Sequence, residues 1–535
     1  MRYSFITVLL LGLACEVPAA HAQIPQSLQE NPQEGATPRR PDPQPLEPSV
    51  QPPSTPTTQP TSAIDRPRSI EVDRLAPPQE IGFGEPEVNL RTEGQSLPAP
   101  QAEPFELDRR SDPILALASA STSPAAFRGV IATALARHPY IRESEAEVDE
   151  AEAARDEARL LQYPTIDFQL SYFNVVDRKF SNDPQNVLER SRPRERTDAL
   201  LSLDLPLFDF GSSKARIASG NQRIAAAEAS VEFSADRVAQ SAIAAWYEVY
   251  TYRVLERLSQ AFLQNQDELR DALQVRIDEG VSAQADMARY DSYRASAATQ
   301  LADFQQQLAA AEAQYRAFVG EPAPAALGRA PSVAPAIMTQ ADALAATDDL
   351  PEVERARRLA NAAGFDARAA RANEAPRISV GLDAGRYGVL ENPQDYDLRA
   401  SVTLSHRFFG GQRQRARQAE ARERRADATY ERVRTEAVRD ADIAWTRVQS
   451  LENATEALRD NYFASRQARD AQFQRFRYSR GTLNDVLIAQ TDYFNVAARF
   501  VATISELDIA RYILLSETGQ LLDYLSLDPE GELNP

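Results

Sequence analysis

Leu201-Ser202-Leu203-Asp204-Leu205-Pro206-Leu207-Phe208-Asp209-Phe210-Gly211 is the stretch on which the reading of the fold turns. Leucine takes the odd positions up to 207, and Ser202, Asp204 and Pro206 take the even ones. A period of two puts the leucines on one face of a strand and the polar residues on the other. Two phenylalanines and a glycine close the stretch. From 221 to 279 the chain then holds neither Gly nor Pro. An uninterrupted helix of that size extends about 90–100 Å. An amphipathic strand therefore feeds a very long helix.

The same plan occurs twice. Leu207-Phe208-Asp209-Phe210-Gly211 is echoed by Arg407-Phe408-Phe409-Gly410-Gly411, Ala245-Trp246 by Ala444-Trp445, and Glu279-Gly280 by Arg480-Gly481. The offsets stay close to 200 residues, far longer than a solenoid repeat. In each copy a helix comes first, over about 124–161 and 341–374. A strand pair follows. Ile166, Phe168, Leu170 and Tyr172 alternate with polar residues and partner the stretch quoted above. Ile378, Val380, Leu382 and Ala384 partner Leu398, Ala400, Val402 and Leu404. Polar loops over about 176–197 and 388–397 join the strands. After each long run, 221–279 and 412–480, a shorter helix follows, over about 283–319 and 484–523.

Residues outside the repeats set the compartment. Met1-Arg2-Tyr3, the apolar run Phe5 to Ala14 and Ala20-His21-Ala22 read as a secretory signal peptide cleaved after Ala22. Cys15 invites a lipoprotein reading, but Gly12 stands where a lipobox usually has Leu. The segment that follows is rich in Pro, Gln, Glu and Thr and cannot bury enough apolar surface to offset its ordering entropy. The expected division is a signal peptide at 1–22, a disordered proline-rich extension at 23–115, a first repeat at 120–320, a linker at 321–340, a second repeat at 341–525 and a tail at 526–535.

A formal net charge of −19, with Lys179 and Lys214 the only lysines, argues against a nucleic-acid partner. No stretch past the signal has the roughly 18 consecutive apolar residues of a membrane helix, so a membrane role must use strands. Strands of about ten residues cross a bilayer when tilted. Four cannot close, and open edges do not survive in lipid. Two copies would make an eight-stranded barrel filled by its own side chains, whereas three make twelve strands with a lumen. The lipid-facing set is then Ile166, Phe168, Leu201, Leu203, Leu205, Ile378, Val380, Leu382, Val402 and Leu404. Phe208, Phe210, Phe408 and Phe409 fall where an aromatic girdle belongs.

The segments Ala134-Leu135-Ala136-Arg137-His138-Pro139, Pro206-Leu207-Phe208-Asp209, Tyr478-Ser479-Arg480-Gly481-Thr482 and Asp485-Val486-Leu487-Ile488-Ala489-Gln490 resemble the TolC-type outer-membrane efflux family over about 120–525. That resemblance implies an α+β membrane protein, a homotrimer whose 12-stranded β-barrel, four strands per chain, continues into a periplasmic α-helical barrel. Asp492-Tyr493-Phe494-Asn495-Val496 and the residues to Leu522 look most like the type I secretion branch, which exports proteins. Drug or metal efflux is the alternative. The implied partners are a periplasmic adaptor (membrane fusion) protein, an inner-membrane pump and outer-membrane lipid.

By the same resemblance, adaptors dock on the tips Gly280, Val281, Ser282, Gly481, Thr482 and Leu483. Asp278, Glu279, Asp286 and Asp485 would form an acidic periplasmic entrance in which Arg480 is the nearest candidate partner of Asp485. Either glycine also simply ends a helix well. Arg413, Arg415, Arg417, Arg422, Arg424 and Arg425 read as a solvated face paired with Glu420 and Glu423, with a basic lumenal collar as the other reading. Trp246 and Trp445 read as packing anchors. An enzyme is not expected. His138 and His406 sit in no metal-ligand spacing, no cofactor is implied, and no nucleophile motif or phosphate loop occurs. A periplasmic coiled-coil scaffold or adaptor would explain the helices but not four amphipathic strands placed in register with the repeat.

Overall fold

The computed structural model describes residues 97–529, apart from 108, 119–120, 182–184, 186, 332, 334–338 and 392–394. The signal peptide at 1–22 and the extension up to 96 lie outside the described residues. The elements, in order, are α1 (Pro113–Ala116), α2 (Pro124–Arg137), α3 (Pro139–Leu160), β1 (Thr165–Asn174), α4 (Val187–Ser191), β2 (Glu195–Phe208), α5 (Ser212–Asp278), α6 (Gln284–Val319), α7 (Gln340–Ala346), α8 (Pro351–Ala372), β3 (Arg377–Tyr387), β4 (Asp395–Ser405), α9 (Gln412–Arg477), α10 (Leu483–Ser516) and α11 (Leu521–Leu525).

The strands make one antiparallel sheet in the order β1-β2-β3-β4, so its two outer edges have no partner strand among the described residues. The register sets Ile166 opposite Leu203, and Leu203 opposite Leu382. It also sets Val380 opposite Val402 and Ile378 opposite Leu404. One face of the sheet is thereby apolar over most of its length, with Thr197 and Arg386 at the end nearer the loops. The loops are shorter than the sequence reading, because β2 starts at Glu195 and β4 at Asp395.

Each leading helix is broken where a single one was expected. Pro139 opens α3, and the peptide before a proline is driven out of the helical region. His138 accordingly has ψ 129°, and its Nδ1 accepts from Tyr140 N at 3.3 Å. Leu350 before Pro351 repeats the break with ψ 139°.

The long helices α5 and α9 run 67 and 66 residues, on the order of 100 Å each. α5 is packed by α3, α6, α8 and α10, and α9 by α8 and α10. Small residues permit the close approach. A Cβ on Gly220 would come within 2.9 Å of Arg155 Cβ, so α5 and α3 touch backbone to side-chain root there. The main core gathers around Trp246, which meets Phe127 edge to face at 5.3 Å and donates from Nε1 to Gly328 O at 2.9 Å. Trp445 is half-buried against Ala444, Val448 and Leu514.

Two segments expected to be loose are part of this core. The linker places Arg329 in a buried bidentate pair with Asp508 at 2.6 and 2.8 Å, and Tyr247 OH also donates to Asp508. The described residues of 97–115, a range that composition assigns to the extension, pack against the helices. Leu97, Asp112 and Ile114 are buried. Asp112 caps α1 by accepting from Ile114 N and Leu115 N, and it pairs with buried Arg466. The tail is anchored at its start by buried Leu527.

Candidate functional site

The far ends of α5 and α9 form two tight turns that share one small core. Leu269, Leu273, Tyr290, Phe473, Phe476, Leu483, Val486 and Leu487 bury each other there. In the first turn Gly280 takes φ 73° and Val281 N donates to Arg276 O at 2.8 Å. In the second turn the left-handed residue is Ser479, at φ 56°, and Arg480 N donates to Arg475 O at 2.8 Å. Gly481 is not at positive φ. The structural counterpart of Gly280 is therefore Ser479, an offset of 199, and the Gly280–Gly481 match of the sequence reading is two residues out of register. The same 199 offset relates Ala283 to Thr482, Asp286 to Asp485 and Trp246 to Trp445.

The predicted entrance acids are mostly engaged in shaping these turns. Asp286 accepts from Ala283 N at 3.2 Å. Asp485 accepts from Thr482 Oγ1 at 2.8 Å and Thr482 N at 3.2 Å. The Thr482 hydroxyl and amide hold the Asp485 carboxyl below the usual carboxylate range. Each acid closes the first turn of its helix, as an acid at N3 does. Asp485 is thus held by Thr482 and not by Arg480, whose side chain makes no ion pair to a described residue. Asp278 accepts from Gln274 Nε2 at 2.8 Å, and Glu279 is the exposed residue that caps α5.

Of the predicted docking residues, Val281 is half exposed, Ser282 is partly buried and its Oγ accepts from Arg276 Nε at 3.2 Å. Thr482 caps α10. Leu483, expected at the docking surface, is instead buried in the tip core and presents nothing outward. Besides Val281, the large exposed apolar side chains near the tips are Val275, Tyr478 and Ile488, none of which the sequence assigns to docking. Arg276 was passed over as well. It is buried, its Nη1 donates to Phe476 O at 2.6 Å and to Gly481 O at 3.4 Å, and its guanidinium lies 4.3 Å from the Phe476 ring centroid. One side chain of α5 therefore pins the α9–α10 turn. A groove of about 670 Å³ runs up from the tip between α9 and α10 and is lined by Ala464, Ala468, Asp485, Ile488 and Asp492, among others.

At the other end, the ten residues assigned to lipid share the apolar face of the sheet. Ile166, Phe168, Leu201, Leu382, Val402 and Leu404 are exposed, with Val402 at 75%. Leu203, Leu205, Ile378 and Val380 are half-buried by neighbouring strands. Phe208, Phe210, Phe408 and Phe409 project where sheet gives way to helix, Phe409 being fully exposed. Phe210 and Phe409 both sit at positive φ, 55° and 57°. That conformation costs a non-glycine residue energy and throws its ring outward. Among the described residues no helix is long and apolar enough to cross a membrane, and no group of three or more His, Cys, Asp or Glu is placed to hold a metal ion.

Residues 130–321 and 342–520 match the family described as outer membrane efflux protein. The fold is shared with the outer membrane protein VceC of Vibrio cholerae, at 19% identity over 74% of this chain and 96% of that one, TM-score 0.65. A membrane protein from Pseudomonas aeruginosa matches at 20% identity over 74% and 92%, TM-score 0.66. The CmeC outer membrane channel of Campylobacter jejuni matches at 13% identity over 74% and 86%, TM-score 0.64. A comparison with curated proteins finds no match.

Proposed function

Because the chain belongs to the outer membrane efflux protein family, we propose that it is one protomer of a trimeric outer-membrane duct in a tripartite export system. One observation carries this reading: a four-stranded sheet with two open edges and one exposed apolar face stands at the end of helices about 100 Å long. Open edges in lipid leave backbone groups unsatisfied, so the sheet must close with other copies. Three copies supply twelve strands and a lumen; two leave a filled barrel. The apolar face then meets lipid, and the helices reach into the periplasm as the wall of a helical barrel. The protein acts as a conduit and performs no chemistry on its cargo.

The periplasmic end is the docking end for an adaptor, which bridges to an inner-membrane pump. Exposed Val281 and Tyr478 and the α9–α10 groove offer apolar contact at the tips. The cargo class is protein exported by type I secretion, a reading supported by the sequence of α10 from Asp492 onward. Native mass spectrometry of detergent-extracted protein tests the assembly: a protomer count of three is expected, and a stable monomer with an intact sheet would rule it out. Co-purification with a tagged chain tests the cargo class. A transporter ATPase among the partners fits protein export, while a proton-driven pump sinks it.

A further inference from the structure

The neck where the sheet meets the helices has a charge opposite to that of the whole molecule. A cavity of about 550 Å³ there is lined by Arg216, Arg377, Arg407, Arg415, His406 and Asn373, with no carboxylate in its lining. Arg377 and Ser405 face each other across β3 and β4 on the polar side of the sheet, away from the apolar face. In the duct reading above, on which this inference rests, that side faces the lumen. An adjoining cavity of about 640 Å³ shares His406 and Arg407 and adds Arg413; Glu374 is the acid at its wall.

Apart from Arg377, the arginines here are left without a carboxylate partner among the described residues. Glu420 and Glu423, expected to pair with the arginines of their own helix, are taken by Arg371 of α8 at 2.8 and 3.9 Å. Among the described residues, no ion pair reaches Arg216, Arg407, Arg413 or Arg415. Arg377 donates to Asn373 Oδ1 and lies near Asp209. The two long helices also differ at their starts. Asp209 accepts from Gly211 N at 3.0 Å and Ser213 N at 2.6 Å, so a carboxylate covers the start of α5. The residues preceding α9 are Phe408 and Phe409, and its first turn is Gln412-Arg413-Gln414-Arg415 with no acid. Cations at a helix N-terminus oppose the helix dipole. A set of guanidinium groups in this state is completed by an oxyanion, which the planar fork fits two bonds at a time.

We propose that Arg216, Arg377, Arg407 and Arg415 form an anion-binding collar at the neck of the duct that takes the carboxylates of an acidic polypeptide cargo in transit. Repeated in each protomer, the collar places a positive ring between the sheet and an acidic entrance, and rings of one sign select passing charge of the other.

Purified trimer in planar bilayers under a salt gradient tests this. Wild type should be blocked by an oligoglutamate peptide and not by oligoglutamine of equal length. Arg407→Gln with Arg415→Gln should weaken the block at least about tenfold and shift the reversal potential toward cations, while Arg407→Lys with Arg415→Lys should keep the wild-type reversal potential but lose part of the block. Equal block of wild type by both peptides overturns the collar without any variant being needed. So does an unchanged reversal potential in the glutamine double variant. Failure of wild type to conduct at all would instead remove the duct reading.

Discussion

α5 and α9 start from one plan and end in different surroundings. Each follows a glycine at positive φ, Gly211 or Gly411, and each runs to a tip turn with a left-handed residue two places past its end. Yet α5 is packed by α2, α3, α6, α8 and α10, whereas the first third of α9, up to Arg434, buries only Ala416. The repeat keeps the helix and the left-handed residues at its two ends but not its environment. The paired tryptophans report the difference at one repeat position.

The largest effect should therefore fall on that pair. Trp246→Ala removes the centre of the main core and the hydrogen bond to Gly328, and should cost about 3–5 kcal/mol. Trp445→Ala, half-buried on α9, should cost on the order of 1–2 kcal/mol. Heat unfolding of dissociated protomers compares the two. Equal losses would mean that α9 is as enclosed as α5.

The two faces of the sheet sharpen the comparison next. Leu203→Arg in the first copy and Val402→Arg in the second should each cost about 2–4 kcal/mol near the bilayer midplane. Ser202→Arg and Thr403→Arg, on the polar face, should cost much less. Should all four variants fold and insert alike, the assignment of faces would be wrong.

A third difference is titratable. Where α5, α8, α9 and the end of α10 converge, a cavity of about 560 Å³ gathers Glu232, Asp236, Glu352, Asp440, Glu517 and Asp523 around Arg237. Burial pushes Asp236 up to about 6, aided by Glu352 and opposed by a bond from Ser516. Burial, then Asp440, Glu352 and Asp236, push Glu517 up to about 7. A carboxyl whose folded pKa is raised favours the folded state most when protonated. Its contribution is complete below the unfolded value near 4 and is lost as pH rises through about 6 to 7. Thermal stability should therefore fall between about pH 4 and 7, by on the order of 1–2 kcal/mol from Asp236. Asp236→Asn should flatten that slope. An equally steep slope in the variant would place the titration elsewhere.

The periodic features were legible because they are local. Alternation in Leu201–Leu207 and the Gly- and Pro-free runs need no knowledge of neighbours, and both gave the observed elements. What escaped depends on distant partners. Composition assigned residues 97–115 to the extension, although Asp112-Pro113 is an N-cap followed by proline at N1, a helix start that could have been read. Arg276 looked like any helix-surface arginine, since Phe476 and Gly481, which it holds, are some 200 residues away. Arg329 met Asp508 from 179 residues off. Glu420 was matched to arginines on its own helix, but the spacing of α8 against α9 delivered Arg371 instead.

The smallest effect, and the one that bears most directly on register, lies at the tips. Matching glycine to glycine pairs Gly280 with Gly481, whereas matching backbone conformation pairs Gly280 with Ser479. The two alternatives make opposite demands on substitution. A Cβ on Gly280 meets nothing within 4 Å, so the whole cost of Gly280→Ala is its φ of 73°, about 1 kcal/mol. Gly481 has no positive φ, and a Cβ there would lie 3.4 Å from Phe476 N, an ordinary contact, so Gly481→Ala should be close to neutral. Ser479 holds the strained position without glycine's freedom, and Ser479→Gly should relieve up to about 1 kcal/mol. Hydrogen exchange of the amides at 276–283 and 475–482 reads these local stabilities without requiring the rest of the trimer to unfold. Faster exchange at the first turn in Gly280→Ala, slower exchange at the second in Ser479→Gly and no change in Gly481→Ala would fix the offset at 199. A larger loss in Gly481→Ala than in Gly280→Ala would restore the glycine match and, with it, a second turn of different shape.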